Sequence, residues 1–127
     1  MLDRIDLQIA LPPADTTWMD APPGEASAPV RERVECCRRR QFERQGYPNA
    51  RLTVADLDRH CVLESAARKL LGQAMSRWSW SARVAHRVLR VARTLADMQE
   101  AEAIGAAHIG EAIQYRQPWG RAPRAGA

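Results

Sequence analysis

The sequence lacks the features that would carry it to or across a membrane. No apolar stretch approaches the about 18 residues that a membrane span needs. The first ten residues carry acids where a signal peptide carries basic residues. Cysteine is scarce, and its three residues, Cys36, Cys37 and Cys61, cannot all form disulfides. No Cys or His spacing is typical of a zinc site. We therefore predict a cytoplasmic protein with reduced thiols and no membrane contact.

Motifs that build an independent active site are also absent from the sequence. It contains no GxxxxGK[ST] phosphate loop and no other glycine-rich loop. It contains neither HExxH nor GxSxG. His60, His86 and His108 share no spacing, so we interpret each as a surface or partly buried imidazole and not as a metal ligand. The chain alone is therefore not expected to be an enzyme, nor to hold a cofactor or a metal.

What is present is the composition of one basic globular domain. The chain has 127 residues, of which 46% are apolar and 27% charged, and this suits a single domain with a core. Residues 1–26 carry one basic residue, Arg4, and five acidic ones, so the other residues carry a net charge of +8. Lys69 is the only lysine. Such a basic domain suits a partner that bears phosphate, either a nucleotide or a nucleic acid.

The N-terminal segment combines a predicted strand with a linker. Apolar residues alternate with other residues over residues 5–11, and this pattern is typical of a strand. The alternating residues are Ile5, Leu7, Ile9 and Leu11. Residues 12–27 contain four prolines and form a predicted linker. A single strand makes no sheet, so we expect the chain to be the C-terminal piece of a larger protein, with residues 1–26 disordered in isolation. Residues 117–127 are expected to form a disordered tail.

Five helices are predicted over residues 27–116. Ser27 and Ser81 are expected to cap two of them, and Gly46 is expected to end the first. Thr53-Val-Ala-Asp56 predicts a capping box. The predicted helices cover about 27–44, 54–61, 64–77, 82–98 and 106–115. Thus the sequence predicts a mainly α fold, a small helical bundle preceded by one unpaired strand and a flexible linker.

The clearest of these segments is the helix predicted over 82–98. Its apolar residues fall on one side at 100° per residue, and its charged residues fall on the other. The charged side contains Arg83, His86, Arg87, Arg90, Arg93, Thr94 and Asp97. On pattern alone, a solvated face is more common than a phosphate-facing stripe. The first helix is expected to pack through a thinner apolar stripe, namely Val30, Val34, Cys37 and Phe42.

Three stretches resemble a known family. They are Leu2-Asp-Arg-Ile-Asp-Leu7, the run SARVAHRVLRVARTLAD over 81–97, and Ala112-Ile-Gln-Tyr-Arg116. Together with Arg31-Glu-Arg-Val34 and Asn49-Ala50, they look like the C-terminal part of magnesium-chelatase-like AAA+ ATPases, in the ComM/YifB branch. The resemblance implies that residues 4–11 form the last strand of an AAA+ core, and that residues 27–116 form its helical lid.

The resemblance also implies roles for three arginines. Arg4 matches the arginine finger, which would reach in trans to the ATP of a neighbouring subunit. Arg83 matches the sensor-2 arginine, which would contact the γ-phosphate in cis, and Arg87 is a weaker candidate one turn later. A planar guanidinium suits this chemistry, because it binds two phosphate oxygens and stays charged. ATP and Mg²⁺ are implied only for the full-length parent.

The resemblance implies partners for this chain as well. They are an N-terminal AAA+ core and further copies in a ring, expected to be a hexamer. DNA is the expected substrate of the parent, as a helicase or branch-migration motor in competence and recombination. Two alternatives stay open. One is a free-standing basic helical module that binds nucleic acid through Arg83, Arg87 and Arg90, and the other is the ATPase subunit of a true magnesium chelatase.

Overall fold

The computed structural model describes residues 5–11 and 19–116. Over the second range it contains five α-helices, with a 3-10 turn between the first two. The helices are α1 (Ser27–Gln45), α2 (Val54–His60), α3 (Ser65–Trp78), α4 (Ala82–Met98) and α5 (Ala106–Arg116), and the 3-10 turn is Asn49–Arg51. The predicted mainly helical bundle is confirmed, and each predicted helix end lies within one residue of the observed one.

Local capping explains where the helices begin and end. The Thr53 hydroxyl accepts from the Asp56 N–H, and the Asp56 carboxylate accepts from the Thr53 N–H, which is the predicted capping box of α2. Ser81 caps α4 by accepting from the Val84 N–H. Gly46 ends α1 in the left-handed region with a φ of 86°, which glycine adopts without strain. The predicted cap Ser27 is instead the first residue of α1, and Ala26 precedes it without a side-chain cap.

Helix α4 lies at the centre of the bundle. It packs against α1, α2, α5 and the 3-10 turn, while α3 packs against α5. Between these elements the chain makes a short parallel bridge: the Ile104 N–H donates to the Val62 carbonyl, and the Glu64 N–H donates to the Ile104 carbonyl. The buried core is Leu52, Leu57, Cys61, Ala67, Leu71, Val88, Ala92, Ala96, Ile104, Ile109 and Ala112. Because α4 contacts most other elements, its position sets theirs.

Helix α1 does not pack through the apolar stripe predicted for it. Only Cys37 of that stripe is buried, while Val30, Val34 and Phe42 are exposed. The buried residues of α1 are Cys37 and Gln41, and both make polar contacts. The Cys37 thiol donates to the Thr94 carbonyl at 3.7 Å, and the Gln41 side-chain oxygen accepts from the Asn49 N–H at 2.8 Å. Helix α1 therefore joins the bundle by polar bonds more than by apolar burial.

A buried carboxylate at the end of α4 collects these polar bonds. Asp97 accepts two hydrogen bonds from the Arg44 guanidinium, at 2.7 and 3.0 Å, and one from the Asn49 amide at 2.9 Å. It also pairs with Arg93, one turn earlier on α4, at 3.1 Å. The Asp97 side chain is fully buried. We call Arg44, Asn49, Arg93 and Asp97 the Asp97 cluster, and it joins α1 and the 3-10 turn to α4.

Arg93, the second buried charge of the Asp97 cluster, bonds to two further segments. Arg93 is 1% exposed, and its guanidinium donates to three backbone carbonyls. The acceptors are the carbonyls of His60, Ala101 and Glu102. Burial lowers the pKa of Arg93, and the neighbouring Asp97 carboxylate opposes that shift. The assignment of Arg93 and Asp97 to an outer polar face was therefore wrong, because each finds buried partners on other elements.

The predicted strand over 4–11 is not formed among the described residues 5–11. A strand needs a partner ladder, and the described part of the chain offers none beside this segment. One backbone bond instead holds it to the bundle, from the Gln8 N–H to the Tyr115 carbonyl at 2.8 Å. The predicted tail over 117–127 lies outside the described residues.

Removal of the buried charge should destabilise the bundle strongly. In Asp97→Asn the guanidinium groups of Arg44 and Arg93 lose the fully buried carboxylate with which both pair. We expect the free energy of unfolding to fall by about 3 kcal/mol, measured by urea denaturation at pH 7.

Arg40→Gln is the matched control for this substitution. It breaks the Arg40–Glu100 ion pair, which joins the same part of α1 to the end of α4 but is exposed. Its cost should stay under about 1 kcal/mol. Equal losses in the two variants would contradict a dominant role for the Asp97 cluster in stability.

The buried thiol of Cys61 should make stability depend on alkaline pH. Burial raises the pKa of Cys61 to about 11. Because the folded state holds the neutral thiol, this contribution to stability is complete below the unfolded pKa of about 8.5 and is lost as the pH rises towards 11.

Urea denaturation between pH 7 and pH 10.5 tests this prediction. The stability of Cys61→Ala should fall less steeply over that range than the stability of the unsubstituted chain. Cys36→Ala, at an exposed thiol, should follow the unsubstituted chain. Parallel curves for all three proteins would show that Cys61 does not carry the effect.

Candidate functional site

The first turn of α4 presents the arginine that the family resemblance singles out. Arg83 is the second residue of the helix, directly after the Ser81 cap and Ala82. Its side chain is exposed. Among the described residues it has no hydrogen-bond or ion-pair partner. A guanidinium in this position is available to an anion outside the bundle, and its fork matches two phosphate oxygens.

Arg87, one turn further along α4, is already engaged within the chain. Its Nη1 atom donates to the Asp6 carboxylate at 2.7 Å, and its side chain is 21% exposed while that of Asp6 is 48% exposed. Arg87 therefore serves to hold the N-terminal segment. It is less available to an anion than Arg83, because an anion would have to displace Asp6.

The rest of the predicted basic stripe on α4 turns inward. Arg90 is half-buried, and its Nε atom donates to the Leu52 carbonyl at 2.9 Å. Arg93 is buried in the Asp97 cluster. A helical-wheel pattern places these residues with Arg83, but their long side chains reach neighbouring backbone carbonyls. Arg83 is the arginine of the predicted stripe that is exposed on α4.

The described part of the N-terminal segment lies beside the exposed end of α4. Asp6 contacts Arg87 of α4, and the Arg116 guanidinium donates to the Ile5 carbonyl at 3.0 Å. These contacts anchor residues 5–8 to α4 and to the end of α5. Arg4, the implied arginine finger, directly precedes Ile5 and lies outside the described residues.

Sequence reasoning missed the role of His108. This side chain is 7% exposed, and its Nδ1 atom accepts from the Gly105 N–H at 2.9 Å. Its Nε2 atom therefore carries the proton and donates to the Gln99 side-chain oxygen at 2.8 Å. These bonds close the loop between α4 and α5, so His108 is structural. The spacing of Gly105 and His108 across the start of α5 was the available signal.

The candidate site among the described residues is the capped start of α4. Arg83 supplies an exposed cation at a capped helix start. In the described part of the chain, no group of three or more His, Cys, Asp or Glu side chains is placed to hold a metal ion. None of the described helices is long and apolar enough to cross a membrane.

Comparison with known proteins gives the family. Residues 24–116 match the family described as magnesium chelatase, subunit ChlI C-terminal. Over 117 residues the chain is 40% identical to the uncharacterised protein YifB of Escherichia coli, and the match covers 91% of this chain and 23% of YifB. It is 39% identical over 117 residues to the competence protein ComM of Haemophilus influenzae, with 91% of this chain and 23% of ComM covered.

The similarity extends to more distant relatives. The chain is 32% identical over 125 residues to an uncharacterised protein of Mycobacterium bovis, with 95% of this chain and 25% of the relative covered. It thus spans about a quarter of the length of the curated relatives it matches. The resemblance predicted from the sequence motifs is confirmed: the chain belongs to the magnesium chelatase subunit ChlI C-terminal family.

Proposed function

We propose that this chain is the helical lid of a magnesium chelatase-related AAA+ ATPase of the ComM/YifB type. In this proposal Arg83 is the sensor-2 residue and contacts the γ-phosphate of ATP bound in the same subunit. The observation that carries the proposal is an exposed arginine, without a partner among the described residues, at the capped start of the central helix. The family match to residues 24–116 supports it.

The chemistry asked of Arg83 is charge stabilisation. ATP bound with Mg²⁺ in the AAA+ core supplies the phosphoryl group and the metal. Arg83 binds oxygens of the γ-phosphate and holds positive charge where negative charge develops during hydrolysis. Because α4 contacts most of the bundle, a rotation of the lid moves Arg83 as part of one packed unit. The isolated chain is not expected to hydrolyse ATP.

Arg4 is proposed as the arginine finger, acting in trans within a homo-oligomeric ring, which we take to be a hexamer. The contacts of the residues that follow it support a connection with the lid. Asp6 pairs with Arg87 on α4, and the Ile5 carbonyl accepts from the Arg116 guanidinium. Through these bonds, movement of α4 is passed to the segment that begins directly after Arg4.

DNA is the proposed substrate of the longer protein, which we take to act as a helicase or branch-migration motor in competence and recombination. The support is the relation to the competence protein ComM. The second candidate is the ATPase subunit of a true magnesium chelatase, and the description of the matching family supports it. The free-standing module has less support, because Arg87 and Arg90 are bonded within the chain.

Substitution of Arg83 in a full-length protein that carries this chain tests the proposal. Arg83→Ala should lower the kcat of ATP hydrolysis by about 100-fold, because a charge-stabilising donor is lost. Arg83→Lys should recover only part of the rate, since an ammonium lacks the fork.

Arg39→Ala is the matched control, at an exposed arginine on α1. It should leave kcat unchanged, and circular dichroism should show the same helical content in all variants. A near-normal kcat for Arg83→Ala would contradict the proposed sensor-2 role of Arg83.

Mixed rings test the role of Arg4. Subunits with Arg4→Ala should be inactive alone and should regain ATPase activity when mixed with subunits that retain Arg4 but cannot bind ATP. Recovery is expected because a finger acts on the neighbouring subunit's nucleotide. If the mixed rings have no more ATPase activity than either type of subunit alone, Arg4 is not an arginine finger.

A further inference from the structure

The stretch from residue 65 to residue 96 contains no acidic residue. Over the same stretch there are seven basic residues. They are Arg68, Lys69, Arg77, Arg83, Arg87, Arg90 and Arg93. Arg93 pairs with Asp97 and Arg87 pairs with Asp6, while Arg90 is half-buried and donates to the Leu52 carbonyl. The exposed basic residues without a carboxylate partner among the described residues therefore lie on α3 and at the start of α4.

Helix α3 presents its basic residues to solvent. Arg68, Lys69 and Arg77 are exposed, and none of them makes an ion pair with another described residue. The acid that comes before them, Glu64, has a carboxylate oxygen close to Gly105 and forms no ion pair with these three cations. The result is a helix face that carries positive charge without compensating carboxylates of its own.

The arginines of α1 show what a compensated helix looks like in this protein. Arg33 pairs with Glu25, Arg40 with Glu100 and Arg44 with Asp97. Acidic residues also stand among the exposed arginines of α1, at Glu32, Glu35 and Glu43. The two helices therefore differ in local charge balance, and α3 is the one that attracts a polyanion.

The surface between the α3 cations is open. A shallow cleft is lined by Lys69, Gly72, Gln73, Ser76 and Arg77. Apart from the nearby backbone of its own helix, nothing lies within 4 Å of the place where a side chain of Gly72 would begin, so the backbone at this position can be approached closely. Lys69 and Arg77 are eight residues apart, which is about 12 Å along a helix. Cations at both ends, with amide and hydroxyl donors between them, suit successive phosphates of one strand.

The end of α3 adds a fixed arginine to this surface. The Arg77 guanidinium lies 5.7 Å from the ring centre of Trp78, and the Trp78 ring stacks on Trp80 at 5.6 Å. Trp80 packs against the core, so the pair gives Arg77 a rigid support. The exposed residues of α3 include no large apolar side chain that would insert into a lipid layer. These features favour a nucleic-acid backbone over a membrane.

We propose that the exposed face of α3, formed by Arg68, Lys69, Gln73, Ser76 and Arg77, binds the phosphodiester backbone of a nucleic acid. This surface is separate from Arg83. It goes beyond the proposed nucleotide role, and its test needs neither ATP nor a core domain.

The test measures binding of the 127-residue chain to a fluorescein-labelled 20-mer of thymidylate and to a 20-base-pair duplex. Fluorescence anisotropy is recorded from 50 to 200 mM salt. We expect binding to at least one of the two, with log K falling linearly with log salt. The arms decide between single and double strands, and binding to either supports the proposal.

The decisive variant replaces Arg68, Lys69 and Arg77 by glutamine. It should weaken binding at 50 mM salt by at least about tenfold and reduce the single-strand salt slope by about 2, because three phosphate contacts are lost. The matched control replaces Arg31, Arg38 and Arg39 of α1 by glutamine. It removes the same charge and also one arginine stacked on an aromatic ring, since Arg38 lies 5.1 Å from the Phe42 ring centre.

The control should weaken binding by less than about threefold. Three results would overturn the proposal. They are no binding at 50 mM salt, equal losses in the two triple variants, or binding to phosphatidylserine vesicles that depends on the α3 cations while the oligonucleotides stay unbound. Circular dichroism of both variants distinguishes a loss of folding from a loss of binding.

Discussion

A carboxylate taken out of water has to be surrounded by cations and hydrogen-bond donors, and this constraint organises the bundle around Asp97. Its donors come from three separate places: Arg44 at the end of α1, Asn49 in the 3-10 turn and Arg93 on its own helix. Each donor makes further bonds, so the carboxylate is the meeting point of a network. The stability of the surrounding elements depends on that network as well as on apolar burial.

The network also explains why α4 can serve as the rigid part of a site. Its far end is fixed by Asp97 and Arg93, and its middle by the apolar core through Val88 and Ala92. Its near end is capped by Ser81. A side chain on the first turn of such a helix is held in a defined place, which a phosphate-sensing arginine requires. In the proposed function, the position of Arg83 is therefore a consequence of buried bonds at the opposite end of the helix.

Much of this architecture could be predicted from the sequence. Periodicity and capping residues located all five helices, because these signals are local. The run around Arg83 predicted the family, which the comparisons confirm. Neither signal required knowledge of which helices touch.

The parts that could not be predicted depend on distant partners. Arg93 and Asp97 look like surface residues on a helical wheel. Arg44 and Asn49, about 50 residues earlier, bond the buried Asp97 carboxylate. Arg93 in turn donates to backbone carbonyls outside α4. The bonds from Arg87 to Asp6 and from Arg90 to the Leu52 carbonyl could not be predicted either, because their partners are also distant in the sequence. The spacing of Arg93 and Asp97, four residues apart, was a usable signal for an ion pair but not for its burial.

Polar bonds to the Asp97 cluster hold α1 to the bundle, and amide hydrogen exchange of Arg44→Gln tests this most directly. The change removes the α1 contribution and leaves Asp97 with Arg93 and Asn49. We predict that amides of residues 37–45 lose protection by at least about tenfold, while those of α4 and α5 stay within about threefold of the unsubstituted chain. Unchanged protection in α1, or an equal loss in all helices, would contradict this role of the cluster.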